Sequence, residues 1–394
     1  MCYYLLIRVI LVTLGGIIKV ILWFLLMIII LLILLSGIVL FFPFNLKGKS
    51  KKYSAITISI YALCQIILLG NMIYSIMFFK NISNTYAKNI MIFFSAVYFI
   101  IITYGSLLLL IRKILAFLLK KTKKKKALEV INSKKIVVCI LILMSMVGIV
   151  GYTNASKINV KTYEISSEKE LDKESYDIVM ITDTHMGIGA NKKSVDDIVK
   201  KTNKIEPDFI FLTGDIIDEN TSDENANYIL NAFSKMKSKY GIYAVLGNHE
   251  SYRGGEADQL FKKYGINILQ DEIQIANGIT IVGRKDYYSN RDDFKNIVSK
   301  YEIDFSKPVI VLTHEPLEYN TLSEYDVDLV LSGHTHGEQF PGTYIFVKMA
   351  NDMVYGLKKF NNMNAIVSSG AGEWGFHYTF PSKNEILHIK INEK

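Results

Sequence analysis

The 394-residue chain predicts a helical membrane domain followed by an α/β domain, and two observations carry that reading. Of its 45 Lys and Arg residues, 18 precede residue 154, where long apolar runs are accompanied by a single acid, Glu129. Beyond residue 176 the apolar runs are short and alternate with amphipathic stretches, and acids outnumber bases. This split excludes a uniformly basic nucleic-acid-binding protein, because the positive charge lies between apolar segments while the polar half is acidic. With 50% hydrophobic residues, disordered and fibrous classes are excluded too.

The membrane domain is predicted over residues 1–153. Residues 20–42, 53–79, 89–111 and 136–153 are long and uncharged enough to cross a bilayer, which takes about 20 apolar residues. Residues 1–18, interrupted by Arg8, Gly15 and Gly16, are either a fifth short span or an interfacial segment. The largely apolar stretch 5–42 is too long for the core of a cleaved signal peptide. Lys and Arg collect in residues 46–52 and 112–135, and flanking cations resist translocation, so both segments are predicted to be cytoplasmic. The chain after Thr153 then emerges on the outer face. The Lys run 120–126 reads as a topology anchor, with anionic headgroups as a second use. Cys2, Cys64 and Cys139 all lie in or beside apolar spans, so no disulfide framework exists in the C-terminal half. The spans hold no Asp, Glu or His, which argues against ion-coupled transport.

Residues 154–175, rich in Lys, Glu and Ser, are read as a linker, and residues 176–394 as one domain. Five apolar runs suit strands buried on both faces: 177–182, 208–213, 242–246, 308–313 and 327–332. Between them, residues 192–204, 226–239 and 256–264 have helical apolar spacing. A closing strand is expected at 386–391. Each of the five runs ends in a turn bearing metal-competent side chains. These are Asp183-Thr184-His185, Gly214-Asp215-Ile216-Ile217-Asp218, Gly247-Asn248-His249-Glu250, His314-Glu315 and Gly333-His334-Thr335-His336-Gly337. Five of the seven histidines fall in these turns, at the strand ends where ligand sites of α/β folds gather.

Residues of these types suit a dinuclear centre. Two divalent ions ~3.5–4 Å apart need a carboxylate able to bridge them and neutral imidazoles that limit the charge. Asp, His and Asn without Cys point to Mn, Fe or Zn rather than to oxygen-preferring Mg, and Mn is favoured among the three.

Taken in order, the five turns resemble the signature of the calcineurin-like metallophosphoesterase superfamily, and the N-terminal spans resemble a bacterial branch of it. The resemblance covers residue 177 to the C-terminus. It implies a two-sheet β sandwich flanked by helices, an α/β/β/α fold. It also implies that Asp183, His185 and His336 hold one ion, that Asn248, His314 and His334 hold the other, and that Asp215 bridges them. His249 would face the phosphate and Asp218 would pair with His249 to set its tautomer. The implied nucleophile is a metal-bound hydroxide. In this branch residues 366–376 return a strand and a glycine-rich loop towards the site. One departure is Gly337-Glu338-Gln339, where the branch usually has Gly-Gly-Gln; Glu338 either tunes specificity or points to solvent.

Among other candidates, Arg253 is read as a phosphate contact or a solvated loop cation, His377 as a residue of the pocket rim, and His388 as structural. Trp374, Phe376 and Tyr378 shape an apolar groove or simply pack. The resulting expectation is a membrane-anchored, metal-dependent phosphoric ester hydrolase with its catalytic domain outside the cytoplasm. Its substrate would be a phosphoester or pyrophosphate that is lipid-linked or part of the cell envelope. A metal-dependent phosphate sensor, or an accessory domain of a lipid translocase, is the alternative. The membrane is the expected partner; no nucleic-acid or protein partner is read from the sequence.

Overall fold

A computed structural model describes residues 85–122, 124–185, 192–219, 221–253, 256–375 and 377–394, together with 67, 70 and 71. The spans expected at 20–42 and 53–79 lie outside these, apart from those three isolated positions. The chain divides into two compact units, residues 1–149 and 150–394.

In the first unit α1 (Thr85–Ile100) runs through a short π-helical turn (Ile101–Gly105) into α2 (Ser106–Lys120). Together Asn89–Lys120 form one apolar helix, long enough by length and composition to cross a membrane. The basic segment 112–135 is not simply a loop. It contains the end of α2 and α3 (Lys125–Asn132), because Leu, Ala, Lys and Glu are good helix formers. The second membrane-length helix is α4 (Lys134–Ala155), whose last turns belong to the second unit.

The second unit holds two six-stranded mixed sheets. In chain order its elements are β1 (Asn159–Ser167), β2 (Ser175–Ile181), α5 (Lys192–Ile205), β3 (Phe209–Thr213), α6 (Asp223–Phe233), β4 (Ile242–Val245), α7 (Asn248–Arg253) and α8 (Glu256–Lys263). There follow β5 (Asn267–Ile268), β6 (Glu272–Ala276), β7 (Ile279–Gly283), α9 (Phe294–Tyr301), β8 (Val309–Leu312), α10 (Tyr319–Leu322) and β9 (Leu329–Ser332). The chain ends with α11 (Tyr344–Ala350), β10 (Gly356–Phe360), β11 (Met363–Val367) and β12 (Glu385–Glu393). Strand order is β1-β12-β2-β3-β4-β5 in one sheet and β10-β11-β9-β8-β7-β6 in the other. This is the two-sheet sandwich that the resemblance implied.

Side-chain alternation explains why the five expected runs are apolar throughout. In β2 and β3, Ile178, Met180, Phe209 and Phe211 face the second sheet and meet Ile281, Ile310, Leu312 and Leu331. Their sequence neighbours Val179, Ile181, Ile210 and Leu212 turn outward and are covered by Ile198 of α5, Leu230 and Phe233 of α6 and Phe261 of α8. On the far side Val309, Val311 and Val330 pack under Ile297 of α9 and Leu322 of α10. Each fully buried Val, Ile, Leu or Phe contributes about 1.5–3 kcal/mol. α6 begins at Ser222, whose Oγ accepts from the Asn225 amide, with Asp223 and Glu224 in the first turn against the helix dipole.

The segment read as a linker is corrected. Residues 159–167 form β1, an edge strand that pairs in parallel with β12 over its whole length. Val160, Thr162, Glu164 and Ser166 keep one face in water while Ile165 and Ser167 on the other are buried and Lys161 and Tyr163 half-buried, so its composition disguised a strand.

Candidate metal centre

Parallel pairing of β2, β3 and β4, and of β8 and β9, brings the five turns to one edge of the sandwich. Asp183, His185, Asp215, His334 and His336 all have φ between 43° and 71°. This left-handed region costs a non-glycine residue roughly 1–3 kcal/mol and is typical of functional sites. Two glycines leave room for the carboxylates: a Cβ at Gly247 would lie 2.2 Å from Asp215 Oδ1, and one at Gly333 would lie 2.0 Å from Asp183 Oδ2.

Among the described residues four overlapping groups have ligand atoms within 4.8 Å of one another: Asp183, His185 and His336; Asp215, His314 and His334; His185, Asp215 and His249; and Asp218, Glu219 and His249. His336 Nε2 is 3.6 Å from Asp183 Oδ1 and 2.9 Å from His185 Nε2. Asp215 Oδ2 lies between the groups, 3.8 Å from His185 Nε2 and 3.0 Å from His314 Nε2. Asn248 Oδ1 joins the second group, 3.1 Å from His334 Nδ1. The seven residues expected to hold metal are therefore brought together.

Tautomers test whether a cation fits. His185 Nδ1 donates to Asp218 Oδ1 at 2.6 Å, and His314 Nδ1 donates to the Thr213 carbonyl at 2.8 Å. Each ring then points an Nε2 lone pair at carboxylate oxygens, an arrangement that repels unless a proton or a metal ion lies between. Proton affinities follow from this. Burial opposes a charge on His185, but the Asp218 hydrogen bond and the surrounding carboxylates push its pKa up to about 9. His314 is likewise raised against its burial, by Asp215 above all. Burial opposes ionisation of Asp215, yet His314 and His185 hold its pKa below the usual carboxylate range. His334 is depressed to about 4 by burial and by neighbouring His314. His336 Nδ1 is buried without a hydrogen-bond partner. Such a donor set fits divalent ions well.

Asp218 lies between two histidines. Its carboxylate is bonded to His185 and stands 3.7 Å from His249 Nδ1. The partner of His249 is Glu219, whose Oε2 lies 2.7 Å from Nδ1. The Thr221 hydroxyl accepts the Asp218 amide at 2.9 Å. Glu219 was visible only as one more acid after the turn.

Sequence reasoning also missed Glu250. Buried at 1% exposure, its carboxylate accepts the amides of Asp215 (2.8 Å), Ile216 (2.6 Å), Ile217 (3.0 Å) and Gly247 (2.9 Å), knitting two metal-bearing turns together. The remaining candidates sit elsewhere. Arg253 binds Asp223 and the Thr221 carbonyl, bracing the loop that carries Glu219. Glu338 Oε1 accepts the Gly342 amide at 2.6 Å. His377 bonds Glu373 and Ser156, and His388 bonds Asp177 at 2.6 Å. Tyr378 is buried and stacked on Phe340, Trp374 is exposed, and Phe376 lies outside the described residues. The tail loop does return to the site: Gly370 and Gly372 abut Asp183 and Thr184 so closely that a Cβ at either would clash.

A model of the calcineurin-like phosphoesterase family matches residues 176–338. An uncharacterized metallophosphoesterase of Aquifex aeolicus is 30% identical over 60% of this chain and 93% of its own length. One of Helicobacter pylori (strain J99 / ATCC 700824) is 36% identical over 62% of this chain and 66% of its own, so the chain spans just under two thirds of that relative. A Danio rerio transmembrane protein with metallophosphoesterase domain is 26% identical over 64% of this chain and 62% of its own. The chain belongs to the calcineurin-like metallophosphoesterases, a family of metal-dependent phosphoester hydrolases.

Proposed function

We propose that this protein is a membrane-attached hydrolase whose catalytic domain lies outside the cytoplasm and cleaves a lipid-linked or cell-envelope phosphoester or pyrophosphate. The single observation that carries the hydrolytic reading is Asp215, set between two histidine-carboxylate groups at 3.0 and 3.8 Å. Asp183, His185 and His336 would hold one divalent ion and Asn248, His314 and His334 the other, with Asp215 shared; Mn is favoured. When bound, such ions lower the pKa of water and neutralise phosphate charge.

The chain's own groups do the rest. Asp218 and the Thr213 carbonyl fix the His185 and His314 tautomers so that Nε2 is free to ligate. His249 has Nδ1 tied to Glu219, which leaves Nε2 as the atom to face the phosphate and protonate the leaving oxygen. The outward orientation rests on the cytoplasmic Lys-rich segments read from the sequence, and the membrane substrate on attachment through apolar helices. The Danio rerio relative, a transmembrane protein with metallophosphoesterase domain, supports a membrane anchor.

The test is hydrolysis of p-nitrophenyl phosphate and its bis ester by the purified full chain with Mn added, beside Asp215→Asn and His249→Ala. Activity that needs metal and is lost in both variants is expected, and the preferred ester assigns the substrate class. Stoichiometric metal without turnover on any phosphoester would defeat the hydrolase reading. A reporter fused after Lys394 that reads cytoplasmic would defeat the orientation.

A further inference from the structure

Seven residues after the Gly333–Gly337 metal turn, the surface helix α11 has the sequence YIFVKMA and no buried residue. Ile345, Phe346 and Met349 are 65%, 67% and 82% exposed, and Tyr344 is also exposed. A cluster of large apolar side chains left in water is costly and marks a surface that something apolar covers.

Three strands of connectivity say what covers it. The last turns of α4, an apolar helix of membrane length, are held by the tail loop: the Thr379 amide donates to the Gly151 carbonyl (3.1 Å), Asn154 Nδ2 to the Thr379 carbonyl (3.3 Å) and Asn384 Nδ2 to the Ala155 carbonyl (3.0 Å). The same loop holds the lead-in to α11. Gln339 exchanges two hydrogen bonds with the Trp374 backbone, its carbonyl accepts the Phe380 amide, and Phe340 stacks on Tyr378 with ring centroids 5.5 Å apart. Trp374, on that loop, is itself 46% exposed. The point where the chain leaves the bilayer, an exposed Trp and an exposed apolar helix are therefore tied into one small region. Lys348 and Lys383 lie within this region and Glu338, Asp352, Glu373 and Glu385 at its margins, so its apolar side chains rather than its charge mark it.

We propose that α11 and Trp374 rest in the bilayer interface, so that the metal centre is held at the membrane surface, where a phosphate on a lipid headgroup comes within reach. Tyr and Trp favour this depth because one end is apolar and the other polar. The proposal rests on the membrane attachment in the functional reading, not on the hydrolysis or its substrate.

The experiment uses the full chain reconstituted in phosphatidylcholine–phosphatidylglycerol vesicles with or without lipids brominated near the top of the acyl chain. The chain has two tryptophans, Trp23 and Trp374. Trp23→Phe leaves Trp374 as the reporter. A second reporter is Phe346→Trp made together with Trp23→Phe and Trp374→Phe. A control, Trp374→Phe alone, reports on Trp23 in the expected first span. Brominated lipid is expected to quench both reporters by at least about a third, since interfacial side chains sit ~5–10 Å deep. Reporters quenched by aqueous iodide and not by brominated lipid would overturn the proposal, as would reporters shielded from both, which a second protein surface would cause. With Trp23 still quenched by lipid, either result leaves the attachment standing and removes only this inference. Failure of all three to sense lipid would remove both.

Discussion

His185 Nδ1 donates to Asp218 Oδ1 at 2.6 Å, and this bond is shorter than the 3.7 Å approach of the same oxygen to His249 Nδ1. It fixes the tautomer that turns His185 Nε2 towards Asp183 and Asp215. Groups that orient a ligating imidazole typically contribute 10–100-fold in metal affinity. Asp218→Ala is therefore expected to weaken Mn binding by about that factor, read by competition with a fluorescent chelator. Glu219→Gln, one residue away but bonded to His249, is expected to leave the affinity unchanged.

Glu219→Gln has a different signature. The Glu219 carboxylate accepts from His249 Nδ1 and so orients the ring to which the functional reading gives the protonation of the leaving oxygen. The substitution is expected to lower kcat about tenfold on an alkyl phosphate, with little change in KM, the effect of a partner removed from a general acid worth ~10²–10⁴. On p-nitrophenyl phosphate, whose leaving group needs no proton, the loss should be smaller. Equal losses on both esters would show that Glu219 merely supports the loop.

Much of this site was legible because the chemistry and the fold use the same positions. A strand buried on both faces must end in a turn, and each such turn delivers a polar side chain to one edge, so strand ends and ligands could be read together. What resisted reading depends on geometry with no periodic trace. Asp218 and Glu219 are adjacent acids, and their order in the chain does not tell which histidine each one meets: Asp218 is bonded to His185 and Glu219 to His249. Glu250 binds backbone amides, which every residue has, so its role leaves no mark in the sequence beyond its place after His249. β1 was hidden because an edge strand with a wet face needs only a few apolar residues.

Glu250 yields a stability prediction. Its carboxylate accepts four buried amides, and each donor left unpaired costs about 1–3 kcal/mol. Glu250→Ala is expected to lose at least about 3 kcal/mol and to release the turns carrying Asp215 and Asn248 together. Thermal unfolding of the metal-free full chain in detergent should show the drop, with metal affinity falling in parallel. A variant with an unchanged melting temperature would mean that water replaces the carboxylate without cost.

His377 supplies a pH dependence outside the metal centre. Burial opposes its charge, but Glu373 outweighs burial and raises its pKa above the ordinary imidazole value of 6.5. With a folded-state pKa above the unfolded one, the stabilisation is fully present below pH 6.5 and is lost as pH rises through the raised value. Because His377 also bonds Ser156, just beyond α4, and Glu373 bonds Asn384, the loss falls on the tail loop that carries Gly370 and Gly372 past Asp183. Protease nicking of residues 373–384 in the metal-free protein should therefore rise as the medium is made alkaline. His377→Gln should abolish that dependence, leaving susceptibility constant and high across the range. A wild-type loop that is cut at the same rate at every pH would show that the Glu373 pair holds nothing in place.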